Sequence, residues 1–163
     1  MLGIDPGVAI TGYGLVERAG SRLRAAGAGV IRTPPGTDQG HRLLELRAAL
    51  AGLISTYAPD AVAVERVFFN NNVRTAMAVG QASGIALLCA AEAAVEVADY
   101  TPSEVKRSVV GFGSASKHQV QSMVAALLSL ERAPAPDAAD ACALAICHIN
   151  RAGLVRALGE AAS

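Results

Sequence analysis

Four acidic residues, far apart in a chain of 163, each stand where a secondary-structure element begins or ends. Asp5 closes the apolar run Leu2-Gly3-Ile4, and Glu65 closes Ala61-Val62-Ala63-Val64. Asp137 and Asp140 open the helical run Asp137-Ala138-Ala139-Asp140-Ala141. Two short strands each tipped by a carboxylate, with an i, i+3 carboxylate pair on one helix face, can converge on one point. Oxygens gathered in that way repel one another unless divalent cations neutralise them. A two-metal phosphoryl-transfer site is built from this donor set.

Each of these residues also has an ordinary reading. Asp5 could be the first residue of an Asp-Pro-Gly turn, although the small Gly7 leaves room for a phosphate. Glu65 could be a solvated strand terminus, yet it follows four apolar residues at a sheet edge, where α/β folds place their sites. Asp137 suits a helix start favoured by the dipole. Asp140, one turn further in with an apolar helix behind it, fits that explanation poorly. Lys106 and Lys117 are the only lysines among 14 basic residues and lie in one segment, which tilts them from solvated surface toward phosphate contact. Arg107 and His118 are their neighbours. Phe68 and Phe69 precede Asn70-Asn71-Asn72, and two adjacent rings on a loop cannot easily share one core, so one could stack on a base.

The elements that must position these groups follow from pattern. Met1–Asp5 reads as a strand ending in turn chemistry, and Thr11–Glu17 with Leu23–Arg32 reads as a hairpin. A helix is expected from Thr37 or Asp38 to Tyr57, with leucines 43, 44, 46, 50 and 53 on one stripe and Pro59 as its stop. Ala61–Glu65 reads as a buried parallel strand, and Val95–Tyr100 as a further strand. Between them runs a helix over Val73–Ala94, whose broad apolar band suits a central core helix or a dimer interface. Helices follow over Pro102–Val110, from a Ser116 cap to Leu130, and from Asp137 to about Ala152. The order β-β-β-α-β-α-β-α-α-α predicts an α/β fold, a mixed five-stranded sheet with helices on both faces. One domain over residues 1–152 and a frayed tail over 153–163 are expected.

Net charge is zero, but setting aside the four carboxylates leaves the rest of the chain positive. Cys89, Cys142 and Cys147 are odd in number, lie in Ala-rich stretches and form no C-x-x-C, so buried free thiols are expected. No apolar run reaches the roughly 20 uninterrupted residues of a membrane span, and no basic leader precedes the first strand. A cytoplasmic protein is the simplest reading.

The residues resemble a known family. Gly3-Ile4-Asp5-Pro6-Gly7 with Thr11-Gly12-Tyr13-Gly14 is similar to the opening of the RuvC Holliday-junction resolvases, within the ribonuclease H-like fold. Val64-Glu65-Arg66-Val67-Phe68, Gly80-Gln81-Ala82-Ser83-Gly84 and Val105-Lys106 through Gly111 continue the likeness. Ser114 to Lys117-His118-Gln119-Val120, then Asp137-Ala138-Ala139-Asp140-Ala141 and His148, complete it over roughly residues 1–150.

The resemblance implies a dimeric endonuclease, dependent on Mg2+ with Mn2+ as substitute, two ions per site. It would nick two strands of a four-way DNA junction symmetrically, beside branch-migration proteins of the RuvA and RuvB type. On that likeness Asp5, Glu65, Asp137 and Asp140 hold metal, with Asp5 between the ions. One cation acidifies a water and the other stabilises the leaving 3′ oxygen. Lys117 supports the transition-state phosphate, and Lys106, Arg107, Lys117, His118 and Phe68 or Phe69 touch DNA. Three rivals stand beside it: a related nuclease acting on RNA or RNA–DNA hybrid, a non-catalytic junction-binding module, and an actin-like phosphotransferase. The last needs two such domains, and the chain has room for one.

Overall fold

The computed structural model describes residues 1–66 and 73–161. Three antiparallel strands open the chain: β1 (Leu2–Asp5), β2 (Ile10–Ala19) and β3 (Arg22–Arg32). After α1 (Gln39–Tyr57) come β4 (Ala61–Glu65), α2 (Val73–Glu92) and β5 (Glu96–Tyr100), both strands parallel to β1. Then α3 (Pro102–Val110), α4 (Lys117–Leu127) and α5 (Pro136–Ala161) complete the order. The sheet runs β3-β2-β1-β4-β5, a mixed five-stranded sheet, with α1 and α2 on one face and α3, α4 and α5 on the other.

Strand alternation divides the two faces. Leu2, Ile4, Val62 and Val64 pack with Leu46, Leu50 and Ile54 of α1 and with Ala82, Ala86 and Ala90 of α2. Ala63, on the other face, packs with Leu144, Ala145 and Ile146 of α5. The α5 backbone lies directly on the strands because glycines face it. A Cβ on Gly3 would stand 1.9 Å from the Ala141 carbonyl oxygen, and one on Gly12 would stand 2.0 Å from that of Asp137. Cys89, Cys142 and Cys147 are buried and free, as the composition leads one to expect.

The start and end of α1 match the sequence expectation, whereas one of its stripe residues and the ends of α2, α4 and α5 differ from it. The Asp38 carboxylate caps α1, accepting from the Gly40 and His41 amides at 3.0 and 3.2 Å, and the helix buries Leu46, Leu50 and Ile54. Leu44, assigned to the same stripe, points outward at 60% exposure because it lies two residues from Leu46 on the helical wheel. The α2 helix stops at Glu92 rather than Ala94. There the Val95 amide reaches the Ala90 carbonyl, the Ala94 amide reaches that of Ala91, and Ala94 is left-handed (φ 54°). The end of α4 repeats this closure through Leu130 to Ala125 and Ser129 to Ala126, with Ser129 at φ 53°. Finally, α5 continues through Gly153 to Ala161. A single glycine among good helix formers costs about 1 kcal/mol and does not stop a helix of this length.

By length and composition, Thr75–Glu92 of α2 would suffice to cross a membrane, although Gln81, Ser83, Gly84 and Glu92 interrupt its apolar run. It buries Ala76, Ala82, Ala86, Cys89 and Ala90 and leaves Val73, Met77, Leu87 and Leu88 exposed.

Candidate active site

The sheet register assembles the site. Ile4 is paired with Val64 in the parallel ladder, so the next residues, Asp5 and Glu65, end neighbouring strands on the same face. That face is the one covered by α5, because Gly3 and Ala63, two residues earlier on each strand, meet α5. Across the antiparallel ladder Asp5 pairs with Gly12, whose missing side chain makes room for the Asp137 backbone. One turn along α5, Asp140 follows Asp137. The fold thus brings all four carboxylates to one end of the sheet.

Their electrostatics agree with that proximity. Burial pushes the Asp5 carboxyl up to about 7, reinforced by the negative charges of Glu65, Asp140 and Asp137 and opposed by Lys117. Glu65 is also raised, first by burial and then by Asp140, with Lys117 and Lys106 opposing. The Lys117 ammonium donates to Asp140 Oδ2 at 2.7 Å, and this contact, more than any other, raises its pKa. Glu65, Lys106, Lys117 and Asp140 line a hollow of about 200 Å³ floored by Val105, Val120, Ala143 and Leu144. Both lysines therefore face the carboxylates from α3 and α4.

Two reciprocal caps aim those lysines. The Thr101 hydroxyl accepts from the Glu104 amide while Glu104 accepts from the Thr101 amide, which starts α3. Ser116 and Gln119 do the same for α4, placing Lys117 at its first position. Arg107 lies elsewhere on α3, beside Tyr100, Glu104, Ser108 and Arg151. His118 is exposed in the first turn of α4. Phe68 and Phe69 lie outside the described residues. A larger hollow of about 800 Å³ lies at the far end of the sheet, lined by Met1, Glu17, Arg18, Asp60 and His148, and touches none of the four carboxylates.

Among the described residues, no three Asp, Glu, His or Cys side chains close on a single point. The carboxylates form an open rim with Asp140 held by Lys117. The donor set nonetheless suits hard cations, since burial and the neighbouring carboxylates together hold a proton on Asp5, and a divalent cation offsets both. The sequence reading missed the residues that hold the Asp5 turn. The Thr11 hydroxyl donates to the Gly7 carbonyl at 2.6 Å, and the Thr33 hydroxyl donates to that of Val8 at 2.7 Å. Thr11 belongs to the motif Thr11-Gly12-Tyr13-Gly14, whereas Thr33 reaches across 25 residues and carried no local signal.

A mixed sheet with carboxylates at the ends of its first and fourth strands and on its last helix defines a nuclease of the ribonuclease H-like class. The family model of crossover junction endodeoxyribonuclease RuvC matches residues 1–148. A RuvC of Heliobacterium modesticaldum is 55% identical over 148 residues, covering 90% of this chain and 91% of that protein. One of Moorella thermoacetica is 54% identical over 151 residues, covering 92% and 90%. The solved structure of Thermus thermophilus RuvC superposes with a TM-score of 0.85 at 37% identity, covering 94% and 95%. The same protein in complex with Holliday junction substrate gives a TM-score of 0.88 at 37% identity, covering 93% of each chain. The chain belongs to the RuvC family of crossover junction endodeoxyribonucleases. Its activity is hydrolysis of DNA at such junctions, in recombination and repair.

Proposed function

We propose that Asp5, Glu65, Asp137 and Asp140 hold two divalent cations, Mg2+ in the cell with Mn2+ able to replace it. The observation that carries the reading is the meeting of four carboxylates at one end of the sheet, which with burial pushes the Asp5 carboxyl up to about 7. Cations bound there supply positive charge to the phosphodiester and acidify an attacking water. The protein's own part is placement. Asp5 and Glu65 stand side by side just past the last pair of the parallel ladder, and the Asp137–Asp140 pair is brought to them by close seating of α5 on Gly3 and Gly12. Lys117, charged throughout the physiological range, stands beside Asp140 to steady the phosphate as negative charge develops. Lys106, on the same hollow, contacts the DNA backbone near the cut. Arg107, His118 and one of Phe68 and Phe69 extend the DNA contact.

Paired symmetric nicks need two such sites, and a second copy of the chain supplies the other. Val73, Met77, Gly80, Gly84, Leu87 and Leu88 recur at three-, four- and seven-residue steps along α2. Of these, the four large apolar side chains are exposed, and a Cβ on either glycine would meet nothing within 4 Å. Such a stripe fits the same stripe of a second copy about a two-fold axis. The enzyme works in the cytoplasm, beside branch-migration partners of the RuvA and RuvB type. Residues 1–152 form its single nuclease domain.

The test is cleavage of a synthetic four-way junction, a flap, a linear duplex and an RNA–DNA hybrid side by side with Mg2+. The junction alone should be nicked, and EDTA should abolish nicking. Asp140→Asn should bind the junction as wild type does and lose more than about 1,000-fold in nicking rate. Full nicking by that variant would refute the assignment, and preferential cutting of the hybrid would favour the RNA-directed alternative.

A further inference from the structure

Among the described residues, the buried polar side chains are two threonines, Thr11 (1% exposed) and Thr33 (6%). Both spend their hydroxyls on one short loop, Pro6–Ala9, which links Asp5 to β2. Thr11 Oγ1 donates to the Gly7 carbonyl at 2.6 Å and accepts from the Gly7 amide at 3.3 Å. Thr33 Oγ1 donates to the Val8 carbonyl at 2.7 Å, and the Thr33 amide reaches the Ala9 carbonyl at 3.3 Å. Behind it, Arg42 Nε on the first turns of α1 donates to Thr33 Oγ1 at 2.8 Å. Val8 is itself buried, and Gly7 is so close to Ile10 that a Cβ would stand 2.4 Å from the Ile10 carbonyl oxygen.

We propose that Thr11 and Thr33, with Arg42 bracing Thr33, are positioning residues that fix the Pro6–Ala9 loop and through it the aim of Asp5. The inference rests on the reading of Asp5 as a cation-holding carboxylate. The strands themselves do not need these bonds. Four residue pairs already set the β1–β2 register, and Asp5 occupies the last of them, with no further ladder pair beyond it. Buried hydroxyls are retained in a core when their bonds hold something in place. Here they hold the chain on the far side of Asp5, so that the carboxylate is clamped between a ladder and a pinned loop. A displacement of about 1 Å at such a group is enough to cost about 100-fold in rate.

The experiment compares Thr33→Val, Thr33→Ser, Thr11→Val, Thr11→Ser and Arg42→Lys with wild type. Three quantities are read for each: kcat on a four-way junction, junction Kd in chelator, and calorimetric binding of Mn2+ alone. The two valine variants should lose about 10- to 100-fold in kcat and bind Mn2+ at least about fivefold more weakly, with junction Kd unchanged. The serine variants, which keep the hydroxyl, should recover to within about threefold of wild type. Arg42→Lys leaves both hydroxyls in place and so remains informative if a valine variant fails to fold. It should show the same split at about 3- to 10-fold. Ile54→Val, a core change at the far end of α1, controls for lost stability and should leave kcat unchanged. Wild-type kcat and Mn2+ binding in the folded valine variants and Arg42→Lys, or a fall matched by Ile54→Val, would overturn the proposal. Asp5→Asn separates the two layers: if it still nicks, the site reading fails, and if it is inactive while the threonine variants are normal, only the positioning role fails.

Discussion

At the scale of single residues the site works against its own fold. In the folded chain Asp5 keeps its proton until about pH 7, whereas the unfolded chain releases it near the ordinary carboxylate value. The folded state therefore binds more protons between those limits, and stability falls as pH rises from about 4 to about 7. Above pH 7 the cost is fully present. In chelator at pH 8, Asp5→Asn should be more stable than wild type by about 2 kcal/mol, a rise of about 5 °C in Tm. The difference should vanish at pH 4, and Mn2+ should stabilise wild type but not the variant; thermal melts at the two pH values check each point. Asp5 and Glu65 were legible in the sequence because a charge after an unbroken apolar strand has few places to go. Asp137 and Asp140 were legible from their i, i+3 spacing. The braces of Asp5 were not, since Thr33 and Arg42 act through partners distant in sequence that no local pattern announces.

At the scale of elements, the decisive fact is how closely α5 approaches the sheet. Gly3 and Gly12 leave no room for even one added carbon, because what it would meet is backbone. Gly3→Ala should destabilise the chain by about 3 kcal/mol in urea unfolding. Any folded fraction should nick poorly, since α5 carries two of the four carboxylates and would be lifted from the strands. Helix ends give a prediction of opposite sign. Ala94 and Ser129 hold left-handed conformations that suit glycine, so Ala94→Gly and Ser129→Gly should each stabilise by about 0.5–1 kcal/mol, measured by the same unfolding curves. Element order, and the mixed five-stranded sheet it implies, could be read from apolar periodicity and turn chemistry. The ends of α2 and α4 could not, because alanine and serine do not advertise a left-handed cap as glycine does. The continuation of α5 past Gly153 escaped for the converse reason, a glycine that marks no end.

At the scale of the whole molecule, one chain leaves its α2 stripe uncovered. If a second copy covers it, Met77→Glu should yield a monomer in sedimentation equilibrium. That variant should still bind a junction arm but should make single rather than paired nicks. The sequence marked α2 as core or interface, and the structure gives it a buried face of alanines and Cys89 and an exposed one carrying Val73, Met77, Leu87 and Leu88. What decides between the two lies outside any single chain, which is why neither composition nor periodicity could separate them. The three thiols have a consequence of another kind. Cys89, Cys142 and Cys147 are at most 4% exposed, and burial lifts all three pKa values, that of Cys142 to about 11. A maleimide dye should therefore ignore the native protein at neutral pH. A cysteine introduced on the surface becomes the sole reactive handle, and the enzyme can be tagged at one chosen spot, and watched molecule by molecule, without first removing any thiol it already has.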